Sequence, residues 1–292
     1  WYAEPAQNWT HALPVGNGRL GAMVFGGTAE ARYQLNEDSL WCGQPHDYAQ
    51  NGAAQYLSEI RQLLFDGKQR EAEDLAMRHF MSTPLRQVPY QPLGDLTLSF
   101  PGHEKVRDYY RELNLDTAIA TTTYQVDGVT YTRQTFASFP DQVVVVRISC
   151  DEPGALGFTA KLSSPNEEVQ TRKVDSQTLA ISGRARDFEI RGEPTPIPGK
   201  VRFEGRCQVR VNGGQVTVDD GQITVQGANA ATLTMAMATN VKSYKDLSAH
   251  PGQRCEEALR KTADKTPRQL RDAHVADHQA LFRRVSLDLG PV

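Results

Sequence analysis

The chain has 292 residues, 39% hydrophobic and 23% charged, with 32 basic against 35 acidic side chains and a formal net charge of −3. That balance excludes disorder and collagen-like repeats, and without a basic stripe it offers nucleic acid no footprint. The longest apolar run, around Val143 to Val146, is far too short to span a membrane as a helix, while the length suffices to bury a core without disulfides or metals.

The chain opens on Trp1 instead of methionine, so an upstream piece, a signal peptide or another boundary, is expected to have been removed. Trp1, Tyr2 and Trp9 could form an aromatic platform, but residues of that size more often pin a terminal strand to a core. Next comes a glycine-rich stretch, residues 13–27. Gly16, Gly18 and Gly21 satisfy GxGxxG, yet a strand follows where a dinucleotide motif requires a helix, and the Lys-Ser/Thr ending of a phosphate loop is missing. The glycines are expected to serve tight turning and close sheet packing instead. Residues 19–25 and 30–36 read as two strands of a hairpin turned at Gly26-Gly27-Thr28.

Residues 37–48 read as a polar loop. Here Asn36, Glu37, Trp41 and His46 gather the side-chain types of a sugar site. Aromatic faces stack on C–H surfaces, and carboxylates and amides pair with hydroxyls. Glycoside cleavage needs two carboxyl groups on opposite sides of the bond. Glu37 and Asp38 are neighbours that a strand would aim to opposite faces, so they cannot flank one substrate by themselves. The plainer reading is a loop pinned by hydrogen bonds around one buried tryptophan.

Two helices follow. Asn51 is the expected N-cap of a helix over 53–65, with Tyr56, Ile60, Leu63 and Leu64 on one stripe and Gly67 as its stop. A second spans 68–81 with Ala72, Leu75, Ala76 and Phe80 apolar, ended by a proline-rich stretch at 84–92. From 93 to 239 the pattern is almost wholly β. Strands are expected at 93–100, 109–116, 118–126, 129–138, 142–149 and 157–163, then at 178–182, 201–212, 215–219, 222–226 and 230–238. Asp127-Gly128, Gly213-Gly214 and Asp220-Gly221 supply tight turns. Many antiparallel strands at short spacing argue for a sandwich. Residues 184–199, rich in charge and proline, read as a surface loop between strands.

The last stretch turns helical, over 252–262 and 266–285, with Leu270, Ala273, Val275, Leu281 and Phe282 apolar. His274 and His278 stand one turn apart, but no HExxH and no third ligand accompany them, so packing or capping is expected and no metal site. Cys42, Cys150, Cys207 and Cys255 are widely spaced without a CxxC pair, which predicts free, mostly buried thiols. No cofactor is expected.

Leu13-Pro14-Val15-Gly16-Asn17-Gly18-Arg19-Leu20-Gly21-Ala22-Met23-Val24-Phe25-Gly26-Gly27, followed by Leu35-Asn36-Glu37-Asp38-Ser39-Leu40-Trp41-Cys42-Gly43-Gln44-Pro45, resembles the start of the family 95 glycoside hydrolases. The resemblance continues through the two helices, Tyr90 to Leu96 and Tyr109 to Ala118, and into His274, Asp277, His278, Leu281, Phe282, Arg284 and Val285. It implies a mainly β fold, an antiparallel β-supersandwich with a few helices, over residues 1–245. A helical linker over 252–292 would lead to an (α/α)6 catalytic barrel lying beyond this chain. The implied activity is inverting hydrolysis of α-L-fucosyl linkages, with α-L-galactosides as the alternative within the family. A non-catalytic carbohydrate-binding or structural module is the alternative outside it. No catalytic residue falls in this chain on that reading, which is expected to be inactive alone. The implied partners are a fucosylated glycan and the catalytic domain of the same polypeptide, with no nucleic acid and no membrane. A glycan target favours a periplasmic or secreted enzyme.

Overall fold

The computed structural model describes residues 1–189 and 196–290. In chain order the first strands are β1 (Leu13–Gly16), β2 (Leu20–Val24) and β3 (Glu30–Glu37), followed by the helices α1 (Leu57–Phe65) and α2 (Gln69–His79). Then come β4 (Gly94–Ser99), β5 (Arg107–Asn114), β6 (Ile119–Val126), β7 (Val129–Ser138), β8 (Val143–Cys150) and β9 (Leu156–Ser163). The series continues with β10 (Glu167–Lys173), β11 (Thr178–Arg184), β12 (Arg202–Asn212), β13 (Gln215–Val218), β14 (Ile223–Ala228) and β15 (Ala230–Thr239). Helices α3 (Pro251–Thr262) and α4 (Pro267–Phe282) close it.

The strands form two antiparallel sheets. Seven run in the order β1-β2-β3-β4-β9-β14-β13 and eight in the order β10-β11-β12-β15-β8-β7-β6-β5. Their inner faces enclose one core, with Leu20, Leu35, Leu98, Phe100, Tyr124, Ile148, Phe158, Phe203 and Leu233 buried in it. A smaller core lies outside the eight-stranded sheet. There Val143, Val145, Ala236 and Ala238 meet Cys255 and Leu259 of α3 and Leu270 of α4. β8 and β15 are therefore covered on both faces, which explains the unbroken valine run at 143–146 and the ten consecutive buried residues of β15.

The mainly β sandwich agrees with the sequence expectation, and the differences have physical causes. The sequence pattern does not reveal β1 or β10. Both are edge strands; β1 is short and carries Pro14, and β10 has an exposed pattern without hydrophobic alternation. Asn51 is not the helix cap. A 3-10 turn at Ala53–Tyr56 precedes α1, and neither has a side-chain cap. The stripe expected on the first helix finds no cover: α1 buries no residue, α2 buries only Ala72, and Leu64 and Phe65 are exposed. The two helices lean on each other, with Tyr56 stacked on His79 at 4.4 Å. Leu281 and Phe282 of α4 are also exposed, whereas Leu270 is buried. The surface loop expected over 184–199 includes residues 190–195, which lie outside the described residues; a Phe188–Ile197 bridge ties its two arms. The four cysteines are free, with Cys42, Cys207 and Cys255 buried. At the N-terminus, Tyr2 bridges to Arg111 and lies under its guanidinium at 4.3 Å, while Trp9 stays exposed.

Helix α4 starts with a capping box between Thr266 and Gln269 and is fastened to the β5–β6 turn. His274 and His278 each donate Nε2–H to a carbonyl, of Thr117 and Leu115 respectively, both at 2.9 Å. Gln279 and Arg283 bind the Asp116 carboxylate at 2.7 Å. Burial lowers the pKa of His274 below its ordinary 6.5, and burial with the neighbouring Arg133 charge does the same to His103. Below pH 6.5 the unfolded chain takes up protons that the native state refuses, so stability falls as pH drops through that value and the loss is complete below the folded pKa. Urea midpoints measured between pH 7.5 and 5 should therefore decline. A His274→Gln variant should decline less steeply than the parent, and equal slopes would remove His274 from this account.

Candidate functional site

The glycine-rich motif and the loop after β3 meet at one end of the sandwich. β2 and β3 pair with Leu20 opposite Glu37 and Gly21 opposite Asn36. The β1–β2 connection is a tight turn. Asn17 Oδ1 accepts from the backbone N–H of Arg19 and Leu20 at 3.1 and 2.7 Å, and Gly18 sits at φ +90°, where an L side chain would be strained. The GxGxxG spacing thus belongs to a hairpin: Gly18 turns the chain, and Gly16 and Gly21 face each other across β1 and β2.

Arg19, at the end of that turn, reaches from the seven-stranded sheet to the eight-stranded one. Its Nε donates to Gln142 Oε1 at 2.7 Å, and its Nη1 donates to the Met237 carbonyl at 2.9 Å and to Glu37 Oε1 at 3.2 Å. The other Glu37 oxygen accepts from Ser39 N at 2.9 Å and Ser39 Oγ at 2.6 Å. Ser39 Oγ in turn meets Thr239 Oγ1 of β15 at 2.5 Å. Glu37 is 1% exposed, and burial raises its pKa above the ordinary 4.5 although the Ser39 donors and Arg19 offset part of that cost. Both carboxylate oxygens are engaged, so Glu37 acts as a latch between the sheets.

The loop after the latch carries the aromatic groups. Tyr90 donates its phenol to the Glu37 carbonyl at 3.0 Å, and its ring meets Trp41 edge-on at 5.3 Å. Burial and the nearby charges of Glu37 and Asp38 push the Tyr90 phenol up to about 12. Trp41 Nε1–H donates to the Asp38 carbonyl at 2.9 Å. Backbone bonds from Cys42 to Pro89 and from Gln91 to Leu40 run residues 40–42 alongside 89–91. Further on, His46 bonds the Thr83 carbonyl through Nε2 at 2.7 Å and lies edge-on to Tyr48 at 4.8 Å.

The four predicted site residues therefore do not converge on one point. Glu37 faces the sandwich interior and Asn36, one residue earlier on β3, is half-buried on the opposite face. Trp41 is half-buried beside Tyr90, and His46 is exposed on its own stretch of loop. Glu37 and Asp38 do diverge, one buried and one exposed. What the surface offers is an aromatic pair, Trp41 and Tyr90, beside the exposed Asp38, an arrangement that stacks and hydrogen-bonds. Arg19, Ser39, Tyr90 and Thr239 were not singled out from the sequence. Only Arg19, an arginine in a glycine-rich turn without a nearby acidic neighbour in sequence, gave a signal that could have found it.

The family model described as "Glycosyl hydrolase family 65, N-terminal domain" matches residues 1–244. The chain belongs to that family. Its curated relatives agree with the resemblance read from the motifs. "Alpha-L-fucosidase 2" of Arabidopsis thaliana is 33% identical over 308 residues, which takes in 99% of this chain and 36% of that protein. "Probable alpha-fucosidase A" of Aspergillus oryzae is 24% identical over 99% of this chain and 41% of that protein. This glycoside hydrolase N-terminal domain thus spans well under half the length of these relatives. Among solved structures, "Putative kojibiose phosphorylase from human microbiome" superposes with a TM-score of 0.50 at 10% identity, over 92% of this chain and 35% of that one, a likeness of fold.

Proposed function

We propose that this domain supports the catalytic barrel of an inverting α-L-fucosidase acting on fucosylated glycans. In this reading residues 1–245 are the sandwich, and 252–292 are the linker into an (α/α)6 barrel that supplies the chemistry. The observation that carries it is the 33% identity to a protein named as an α-L-fucosidase across 99% of this chain. Two features of the chain support it. The motif carboxylate Glu37 is spent on the latch and faces no open space. The linker exposes Leu281, Phe282, Val285, Leu287 and Leu289, apolar surface that a docked domain would cover. In the inverting scheme one carboxylic acid protonates the leaving oxygen while water attacks from the opposite face, and both groups belong to the barrel.

Two measurements test the division of labour. The purified chain, given an aryl α-L-fucoside, should show no turnover; clear turnover would overturn the proposal. In this proposal the loop carrying Trp41 reaches the rim of the substrate site, with Asn36 and His46 contributing from separate positions along the same stretch of chain. In the whole enzyme Trp41→Ala should raise KM for a fucosylated oligosaccharide by about fivefold to thirtyfold, a stacking loss of about 1–2 kcal/mol. Unchanged KM with lowered stability would reduce Trp41 to a loop-packing residue.

A further inference from the structure

We propose that the cleft between the outer face of the eight-stranded sheet and the α3–α4 turn binds a small oxyanion, a phosphate or sulfate group, with Arg147 and Arg271 as its principal ligands. The site lies outside the Arg19–Glu37 latch and does not depend on the fucosidase reading.

The floor of the cleft is set by strand register. Gln134 of β7 lies opposite Arg147 of β8, Arg147 opposite Thr232 of β15, and Thr232 opposite Arg210 of β12. Side chains opposite one another in adjacent strands share a face, so these four form one row across the sheet at spacings of about 5 Å. The row stands on the outer face, because Val143 and Val145, at alternate positions of β8 with Arg147, belong to the core under α3 and α4. A row of polar donors at the end of an apolar face is not what sheet packing requires.

The opposite wall brings Lys265, Arg268 and Arg271 from the α3–α4 turn and the first turns of α4. The cleft, half open to solvent, holds about 770 Å³, within the range of small-molecule sites. Among the described residues five cations line it against the single lining carboxylate Asp264, in a chain whose net charge is −3. Part of that charge is already committed. Lys265 pairs with Asp141, Arg268 and Arg271 lean on Asp272, and Arg210 donates to the carbonyls of Thr262, Ala263 and Lys265.

Arg147 is different. Among the described residues it has no carboxylate in reach, and its one side-chain bond is a long 3.4 Å contact to Thr232 Oγ1. Burial and the like charge of Arg271 lower its pKa, so it is held half-buried beside another guanidinium with its planar fork unspent. An oxyanion between the two would accept from both and cancel their repulsion, and guanidinium forks match phosphate and sulfate geometry. A small ligand fits the concave shape.

The test is binding by the purified chain, read by calorimetry and by the thermal midpoint. The probes are inorganic phosphate, sulfate and glucose 6-phosphate, each against chloride at matched ionic strength. Phosphate or sulfate should bind at one site and raise the midpoint saturably, while chloride should not. Tighter binding of the sugar phosphate would assign the site to an ester, and equal binding to the free ion. Arg147→Gln should fold as well as the parent, because Arg147 makes almost no bonds, and should weaken binding at least about tenfold. Arg271→Gln, on the surface of α4, should weaken it also, and Arg61→Gln on α1 should leave it unchanged. Equal effects of phosphate, sulfate and chloride, or undiminished binding in both Arg147→Gln and Arg271→Gln, would overturn the assignment.

Discussion

Arg133→Ala should lower the unfolding free energy of the domain by about 3–5 kcal/mol in urea titration, among the largest losses any single substitution here can produce. Arg133 stands on β7 with 2% exposure and crosses the core to the turn between β2 and β3. Its Nη1 donates to the Gly27 carbonyl at 2.5 Å, and its Nη2 donates to the Thr28 carbonyl at 2.7 Å and to the Tyr124 hydroxyl. The guanidinium lies 4.0 Å over the Phe100 ring. Among the described residues no carboxylate pairs with it; carbonyl dipoles and aromatic faces stabilise the charge instead. Alanine would take the donor from the half-buried Gly27 and Thr28 carbonyls, leave the Tyr124 hydroxyl with His103 alone and open a cavity, and each of those costs adds. The turn has no slack to rearrange, since a Cβ on Gly27 would come within 2.0 Å of the Glu30 carbonyl oxygen. Arg133→Lys keeps the charge without the planar fork and should recover only part of the loss. A loss below about 1 kcal/mol for the alanine variant would show that the turn holds without its guanidinium clamp.

Arg19→Met should cost about 2–4 kcal/mol, because it leaves the Glu37 carboxylate buried without its cation. Glu37→Gln should cost less, since the amide oxygen still accepts from Ser39. If the two side chains act as one latch, their double-mutant cycle should give a coupling of about 1–3 kcal/mol, and a coupling near zero would separate them. The pH dependence gives a second signature. The folded pKa of Glu37 lies above the ordinary 4.5, so between those values the native state keeps a proton that the unfolded chain has lost. In that window the contribution of this group to stability falls as pH rises, opposite in sign to the histidines. Glu37→Gln should remove that component, and an unchanged stability profile from pH 4 upward would contradict the burial of an ionisable group there.

The sandwich was legible because most strands carry period-two alternation bounded by Gly and Asp turns, as at Asp127-Gly128 between β6 and β7. Strand β10, with no buried face to advertise, and β1, only four residues long and carrying Pro14, were not legible. Nor was the fate of the helical stripe on α1. Amphipathicity says that a face is apolar, not that anything covers it, and Leu64 and Phe65 remain exposed. The candidate site was legible in part. The sequence showed that Glu37 and Asp38 would diverge, because neighbours on a strand do. It could not show that Arg19 would span both sheets to Gln142 and Met237, over more than a hundred residues of chain. It could not show either that Arg147 and Arg210 would share a row, since that depends on which strand lies between them.

The most direct test replaces the N-terminal third of the Arabidopsis fucosidase with this chain. The account predicts that the chain alone is inert toward an aryl α-L-fucoside, that the remaining two-thirds of the relative is poorly stable and weakly active by itself, and that the chimera regains turnover. Activity in the chain alone, or full activity in the remainder without it, would contradict the assignment of this sandwich as the support of a sugar-cleaving barrel.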